Sequence, residues 1–98
     1  MFCVASRYQT SPEGLVTVVQ IFQEKAVPLV SRQTGFTGVY LMTKPNGEFM
    51  VVNIWDTEEQ ANSWPQNPEH QQVVAQLKPL LSGTPGRDQY EVRAHAVA

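Results

Sequence analysis

The segment FTGVYLMTKPNGEFMVVNIW, residues 36–55, decides the fold, because two runs of β-forming residues flank a short turn sequence. Asn46-Gly47 between such runs is typical of a tight β-hairpin turn in which both turn positions need positive φ. The sequence therefore predicts two antiparallel, neighbouring strands, over residues 36–43 and 48–55.

Both predicted strands carry apolar side chains on both faces. The alternating sets are Phe49, Val51 and Trp55 against Met50, Val52 and Ile54 in the second strand, and Phe36, Tyr40 and Met42 against Val39 and Leu41 in the first. One layer of helices covers only one face of a sheet, and soluble monomers rarely expose an apolar patch larger than a few hundred Å². The pattern therefore predicts a homodimer that pairs through its sheet faces.

A further strand and a helix precede the hairpin. Residues 2–8 are rich in β-forming residues and alternate, which predicts the first strand. Ser11 and Pro12 have the composition of a helix start, and apolar residues then recur at intervals of three and four as far as Val30. Pro28 lacks the N–H that a helix interior needs, so we expect a kink or an early end near it.

The hairpin is followed by a second helix. Asp56 and Glu59 have the spacing of a capping box and predict a helix that runs to about Trp64. Pro65 cannot continue the backbone hydrogen bonding, so it ends this helix.

A third helix and a final strand complete the chain. Asn67-Pro68 combines a capping residue with a first-turn proline and predicts the start of the third helix. Residues 82–87 (SGTPGR) have the composition of a turn. Apolar and polar residues then alternate over 90–96, which predicts the last strand.

The resulting order, β-α-β-β-α-α-β, matches the ferredoxin-like arrangement with one extra helical piece. We therefore expect an α+β fold in which all helices cover one face of a four-stranded antiparallel sheet. A chain of 98 residues has the size of a single domain, which we assign to residues 1–98.

Composition excludes several classes of function. The net charge is −2 and the basic residues are scattered, which argues against a nucleic-acid partner. Cys3 is the only cysteine, so neither an internal disulfide nor a zinc cluster of several thiolates is expected, and a reducing cytoplasm fits best. The N-terminus lacks the pattern of a signal peptide and no run approaches a membrane span, so no membrane partner is expected.

Three stretches resemble the antibiotic biosynthesis monooxygenase family: Gly35-Phe36-Thr37-Gly38-Val39, the run NIWDTEEQANSW at 53–64, and Asn67-Pro68-Glu69-His70. The resemblance covers essentially the whole chain and implies a dimeric α+β barrel with a cavity between sheet and helices in each subunit. It also implies oxidation of a substrate with an acidic carbon, such as an anthrone, by O₂ without metal or flavin. We therefore predict a monooxygenase that needs no cofactor and acts on a small aromatic or quinol-like substrate.

Three residues of this region are candidate catalytic residues. His70 titrates near neutral pH and is the candidate proton acceptor, although a solvent-facing histidine in the first turn of a helix is the plainer interpretation. Trp64 occupies a position that relatives fill with His or Trp, and a core aromatic is an equally good interpretation. Asn53 replaces an acid that many relatives carry, and its amide would serve either the pocket or the dimer interface.

Four further residues are candidate substrate-binding residues: Tyr40, Trp55, Tyr90 and Asn62. The two tyrosine hydroxyls are able to hydrogen-bond an enolate, although each is more often an interface or core residue. For Trp55, which ends the third strand, packing in the core is the favoured interpretation.

Two alternatives to a monooxygenase stay open on the sequence. A non-catalytic ligand-binding or stress-response protein is one, because the expected cavity contains few ionisable groups. Isomerase or lactone chemistry on a similar barrel is the other, although no acid-base pair for it is evident. Haem degradation is disfavoured, because that branch of the relatives needs an axial histidine about ten residues after the helix tryptophan, where Val74 stands.

Overall fold

The computed structural model describes residues 1–98 as one four-stranded antiparallel sheet with helices on one face. The strands, in the spatial order β2-β3-β1-β4, are β1 (Phe2–Gln9), β2 (Phe36–Thr43), β3 (Glu48–Trp55) and β4 (Ser82–Glu91). The helices are α1 (Gly14–Ile21), α2 (Val27–Val30), α3 (Glu58–Ser63) and α4 (Pro68–Leu77). This architecture confirms the predicted α+β, ferredoxin-like fold.

The two faces of the sheet differ in what covers them. The inner face, under the helices, carries Val4 opposite Asn53 and Ser6 opposite Val51. The core assembles there from buried residues of the strands and helices: Val4, Phe22, Ala26, Leu29, Val30, Trp55, Ala61, Trp64 and Val73. No helix of the chain covers the outer face.

Phe36 lies on the inner face, which corrects the prediction that it shares a face with Tyr40 and Met42. The register of β2 against β3 shifts between Phe36 and Gly38, so the alternation changes phase at this β-bulge. Phe36 therefore packs edge-on against Trp55, with ring centroids 5.8 Å apart.

The turn between β2 and β3 also differs from the prediction. Gly47 has φ of 96°, but no residue other than glycine has positive φ, so Asn46 is not in the left-handed region. The Gly47 N–H donates to the Lys44 carbonyl at 3.0 Å. Pro45 favours a type I turn, which a left-handed glycine then closes, and this turn replaces the predicted two-residue form.

The first helical segment runs through Pro28 instead of ending there. A π-helical turn, Phe22–Ala26, joins α1 to α2, and the N–H of Val27 donates to the Phe22 carbonyl. The helical path thus continues past a residue that lacks an N–H by means of one wider turn. A π-helical turn before Pro28 thus stands where a kink or an early end was predicted.

The capping box of α3 is formed one residue later than predicted. Thr57, not Asp56, is the N-cap: its hydroxyl accepts from the Gln60 N–H at 3.2 Å, and the Gln60 side chain accepts from the Thr57 N–H at 3.2 Å. Asp56 instead makes a backbone hydrogen bond: its N–H donates to the Gly35 carbonyl at 2.8 Å. A single turn of 3₁₀ helix at Trp64–Gln66 follows α3, so the helical segment continues through Pro65 and ends at Gln66, two residues beyond the predicted end near Trp64.

The last strand begins earlier than predicted. Residues 82–87 are not a turn but the first part of β4, which pairs with β1 and ends at Glu91, whereas residues beyond Glu91 have no regular structure. β4 lies at the edge of the sheet, where glycine and proline are tolerated because one side of the strand makes no ladder hydrogen bonds. None of the helices has the length and apolar character needed to cross a lipid bilayer.

Candidate functional site

A cavity of about 240 Å³ lies between the inner face of the sheet and the helices. Fifteen of its twenty lining residues are hydrophobic, so its walls suit an apolar ligand. Besides the Tyr8 hydroxyl, four polar side chains lie in its wall, each from a different element: Ser6 of β1, Asn53 of β3, His70 of α4 and Arg87 of β4. An apolar chamber with a few convergent polar groups is the usual form of a small-molecule site.

Asn53 is held in a defined orientation by its neighbour on the same face of β3. The Trp55 Nε1–H donates to Asn53 Oδ1 at 2.7 Å, and both side chains are buried. An indole nitrogen only donates, so the amide atom facing it must be the oxygen. The Nδ2 amide is thereby left available to donate a hydrogen bond to an oxygen of a bound ligand.

His70 is positioned by the start of α4. Asn67 caps this helix, as predicted, with its Oδ1 accepting from the N–H groups of Glu69 at 2.9 Å and His70 at 3.1 Å. The His70 ring lies against Trp64, with ring centroids 4.2 Å apart and a 32° angle between the planes. The structure therefore brings together in one wall two of the predicted catalytic residues.

His70 is kept neutral by its surroundings. Its Nδ1 is buried and has no hydrogen-bond partner, so an N–H at that position would have no acceptor. Burial lowers the pKa of His70 from its usual 6.5, because the charged imidazolium loses its hydration. A neutral imidazole at physiological pH is the form that can accept a proton.

Ser6 and Arg87 line the cavity but are absent from the sequence-based candidates. Ser6 is buried opposite Val51 of β3 and opposite Arg87 of β4. The alternation of β1 could have identified Ser6 as a residue of the inner face, since Ser6 shares a face with Val4 and Tyr8. Arg87 could not be identified in the same way, because its segment has the composition of a turn.

The four predicted substrate-binding residues do not line this cavity. Tyr40 and Tyr90 lie on the outer face of the sheet, where they are 63% and 56% exposed. Trp55 is almost fully buried behind Asn53 and packs against Phe36. Asn62 is exposed on α3, outside the cavity wall.

No group of three or more histidine, cysteine, aspartate or glutamate side chains comes together in the structure in a way that could hold a metal ion.

Tyr8 adds a further aromatic ring to the cavity wall, stacked on Phe49 with ring centroids 5.1 Å apart.

The sheet, its helical cover and the internal cavity define a ferredoxin-like α+β protein with a chamber on one side of the sheet. A family model described as antibiotic biosynthesis monooxygenase matches residues 1–76. The chain therefore belongs to the antibiotic biosynthesis monooxygenase family, as its motifs predict.

One curated relative matches a shorter stretch. An uncharacterized protein, YqjZ of Bacillus subtilis, is 35% identical over 48 residues, which is 49% of this chain and 42% of that protein. The match thus spans less than half the length of this relative.

Two solved structures have the same fold. A putative antibiotic biosynthesis monooxygenase from Deinococcus radiodurans superposes with a TM-score of 0.81 at 17% identity, covering 100% of this chain and 97% of the other. A variant of SnoaB, a cofactor-independent oxygenase from Streptomyces nogalater, superposes with a TM-score of 0.77 at 17% identity, covering 96% and 94% of the two chains.

Proposed function

We propose that this protein is a cofactor-independent monooxygenase that oxidises a small, flat aromatic or quinol-like substrate with O₂. The observation that carries the proposal is the placement of a neutral His70 and the Asn53 amide in the wall of one apolar cavity. Family membership supports the reaction class, and SnoaB, which has the same fold, is described as a cofactor-independent oxygenase.

Each side chain has a separate part in this reaction. Trp64 offers a flat surface for the ring system of the substrate. His70 takes a proton from the acidic carbon, which leaves an enolate. Asn53 Nδ2 donates to the enolate oxygen, and a donor fixed in an enclosed apolar site stabilises such a charge more strongly than water does.

The reaction balances with the substrate and O₂ as the only reactants. A methylene carbon of an anthrone-type substrate loses two hydrogens and becomes a carbonyl carbon. One oxygen atom of O₂ forms that carbonyl and the other leaves as water. The four electrons that reduce O₂ come from the substrate carbon, so no further reductant is required.

We further propose that the working form is a cytoplasmic homodimer joined through the outer face of the sheet. Tyr40, Met42 and Tyr90 are 63%, 48% and 56% exposed on that face, beside partly buried Met50 and Ile54 of β3. A second copy of the chain would shield this surface from water.

Oxygen uptake with anthrone tests the proposal, with the uncatalysed rate in buffer subtracted. Under ¹⁸O₂, the product carbonyl should contain one labelled atom and the water the other. The His70→Gln variant should lose about a hundredfold or more of the rate, the usual contribution of a general base. His95→Gln is the matched control, because His95 is exposed and lies outside the cavity.

A non-catalytic binding protein is the second candidate, and one observation favours it. Besides Tyr8, the cavity wall contains only His70 and Arg87 as ionisable groups. Flat aromatic ligands would then raise the melting temperature by binding the folded state, without any oxygen uptake. That combination of results would replace the monooxygenase by this alternative.

A further inference from the structure

Arg87 is the only side chain in the cavity wall that carries a full charge, given that His70 is neutral. It projects from the inner face of β4, opposite Ser6 of β1. No aspartate or glutamate belongs to the cavity wall. The chamber thus has one cationic end and no anion of its own to balance it.

The acidic residues nearest to Arg87 in sequence are directed elsewhere. Asp88 faces the outer side of the sheet and forms an ion pair with Arg7 at 3.5 Å. Glu91 lies further along β4 and pairs with Arg93 at 3.4 Å. Arg87 therefore keeps its charge without a carboxylate partner from its own strand.

A neutral side chain holds the guanidinium in place. With the amide of Gln89 turned so that its oxygen faces Arg87, Oε1 accepts from Nη1 at 2.6 Å and from Nη2 at 3.3 Å. An amide orients a guanidinium without cancelling its charge, and the remaining N–H groups stay available for a ligand. Arginine presents these donors in a planar fork that matches a carboxylate.

The sheet register sets the separation between Arg87 and Asn53. Arg87 lies opposite Ser6, and Asn53 lies opposite Val4, so the two residues are two strands and two register positions apart on one face. Strands about 4.8 Å apart and a rise of about 3.4 Å per residue place their Cα atoms about 12 Å apart. A flat ligand of two or three fused rings has a comparable length.

We propose that Arg87 binds an acidic group of the substrate, so that the cavity selects flat aromatic carboxylic acids over their neutral analogues. This inference rests on the proposed function in treating the cavity as the substrate site. The carboxylate lies at the Arg87 end of the cavity, and the oxygen that becomes the enolate lies at the Asn53 end.

Calorimetric titration with a matched pair of probes, 2-naphthoate and 2-naphthamide, tests the proposal. The acid and the amide have nearly the same shape and differ in charge. Wild-type protein should bind 2-naphthoate about fivefold more tightly, the size expected for a partly exposed arginine–carboxylate pair. Raising the salt concentration should reduce this ratio by screening.

Substitutions at Arg87 and Arg93 test whether the preference for 2-naphthoate depends on the Arg87 side chain. In Arg87→Gln the two probes should bind equally, whereas Arg87→Lys should keep part of the preference because its charge remains. Arg93→Gln is the matched control and should keep all of it, because Arg93 is an exposed cation outside the cavity wall. Melting curves of each variant establish that it is folded.

Three results would overturn the inference: no measurable binding of 2-naphthoate, equal binding of the two probes by the wild type, or a preference that persists in Arg87→Gln. These titrations need neither O₂ nor turnover. Charge preference without oxidation of anthrone would therefore refute only the monooxygenase, and oxidation without charge preference would refute only the role of Arg87.

Discussion

Trp55 Nε1 donates a hydrogen bond to Asn53 Oδ1 at 2.7 Å, between two side chains that are both buried on the inner face of β3. Residues two apart on a strand share a face, so the contact is made within one strand. Trp55 thus orients the amide that faces the cavity although it does not line the cavity itself. We regard it as a positioning residue.

Replacing Trp55 by Phe should remove this hydrogen bond while keeping an aromatic ring in the core. The buried Asn53 oxygen would lose its donor, at a cost of about 1–3 kcal/mol in the free energy of unfolding. Urea unfolding measures this loss. Affinity for a flat ligand should also fall, because the amide would no longer have one preferred orientation.

A double-mutant cycle with Asn53→Leu separates the hydrogen bond from the loss of indole packing. If the bond is responsible, Trp55→Phe should cost less in the Asn53→Leu background than in the wild type. Equal costs in the two backgrounds would show that Trp55 acts through packing alone.

The stability of the protein should depend on pH through His70. Burial lowers the pKa of His70 in the folded state below its usual 6.5, so the unfolded chain binds this proton more readily. The free energy of unfolding should therefore decrease as the pH falls below about 6.5. Urea unfolding of wild type and His70→Gln at about pH 7.5 and about pH 5 measures the effect.

In this comparison the wild type should lose more stability on acidification than His70→Gln, whereas His95→Gln should behave like the wild type. An identical loss in wild type and His70→Gln would contradict the assignment of a buried, neutral imidazole.

The proposed dimer should dissociate when charge is placed on the outer face of the sheet. Met42→Lys puts an ammonium into an apolar surface that each copy would bury, so its dissociation constant should rise about tenfold or more. Sedimentation at micromolar concentration should give about twice the chain mass of 11.0 kDa for the wild type and a smaller value for the variant.

Val16→Lys is the control for this experiment, because Val16 is 72% exposed on α1, away from the sheet. It should leave the dimer intact. A wild type that sediments as a monomer would refute the proposed assembly.

Two glycines with positive φ should respond differently to substitution by alanine. A Cβ on Gly47 would overlap the carbonyl oxygen of Thr10, whereas a Cβ on Gly83 would meet no atom within 4 Å. Gly83→Ala should therefore cost about 1–2 kcal/mol, for left-handed backbone alone, and Gly47→Ala about 3 kcal/mol or more. Thermal or urea unfolding measures both, and equal losses would contradict the close approach at Gly47.

Most of the fold follows from patterns that are local in sequence. Alternation in β1, the runs of β-forming residues around Asn46-Gly47, the proline-led start of α4 and the apolar periodicity of α1 each specify an element without reference to the rest of the chain. The β2–β3 turn was predicted in its place but not in its form, because Pro45 changes which turn the Asn46-Gly47 pair completes.

The start of β4 could not be predicted in this way. Its first residues include Gly83, Pro85 and Gly86, which favour a turn when considered alone. They become a strand because the edge of β1 offers hydrogen-bond partners to any chain that reaches it. That contact is tertiary, so no local pattern contains it.

The candidate site was predicted in part for the same reason. Alternation separates the two faces of a strand but does not say which face the helices cover. Asn53 and His70 line the cavity, whereas Tyr40 and Tyr90 share the other side of the sheet. Arg87 could be assigned to the cavity wall only once the position of β4 in the sheet was known.

The π-helical turn between α1 and α2 corrects an angular error in the apolar stripe. Val18, Phe22, Ala26 and Val30 all line the cavity, yet they are spaced four residues apart. In a regular α-helix, each step of four residues overshoots a full rotation by about 40°, or about 120° over the three steps. The extra residue accommodated by the wider turn, worth about 100°, nearly cancels this drift. If the same residues wound as a regular α-helix throughout, Val30 would lie about 100° further round, away from the chamber, so the wider turn sets the shape of the cavity wall.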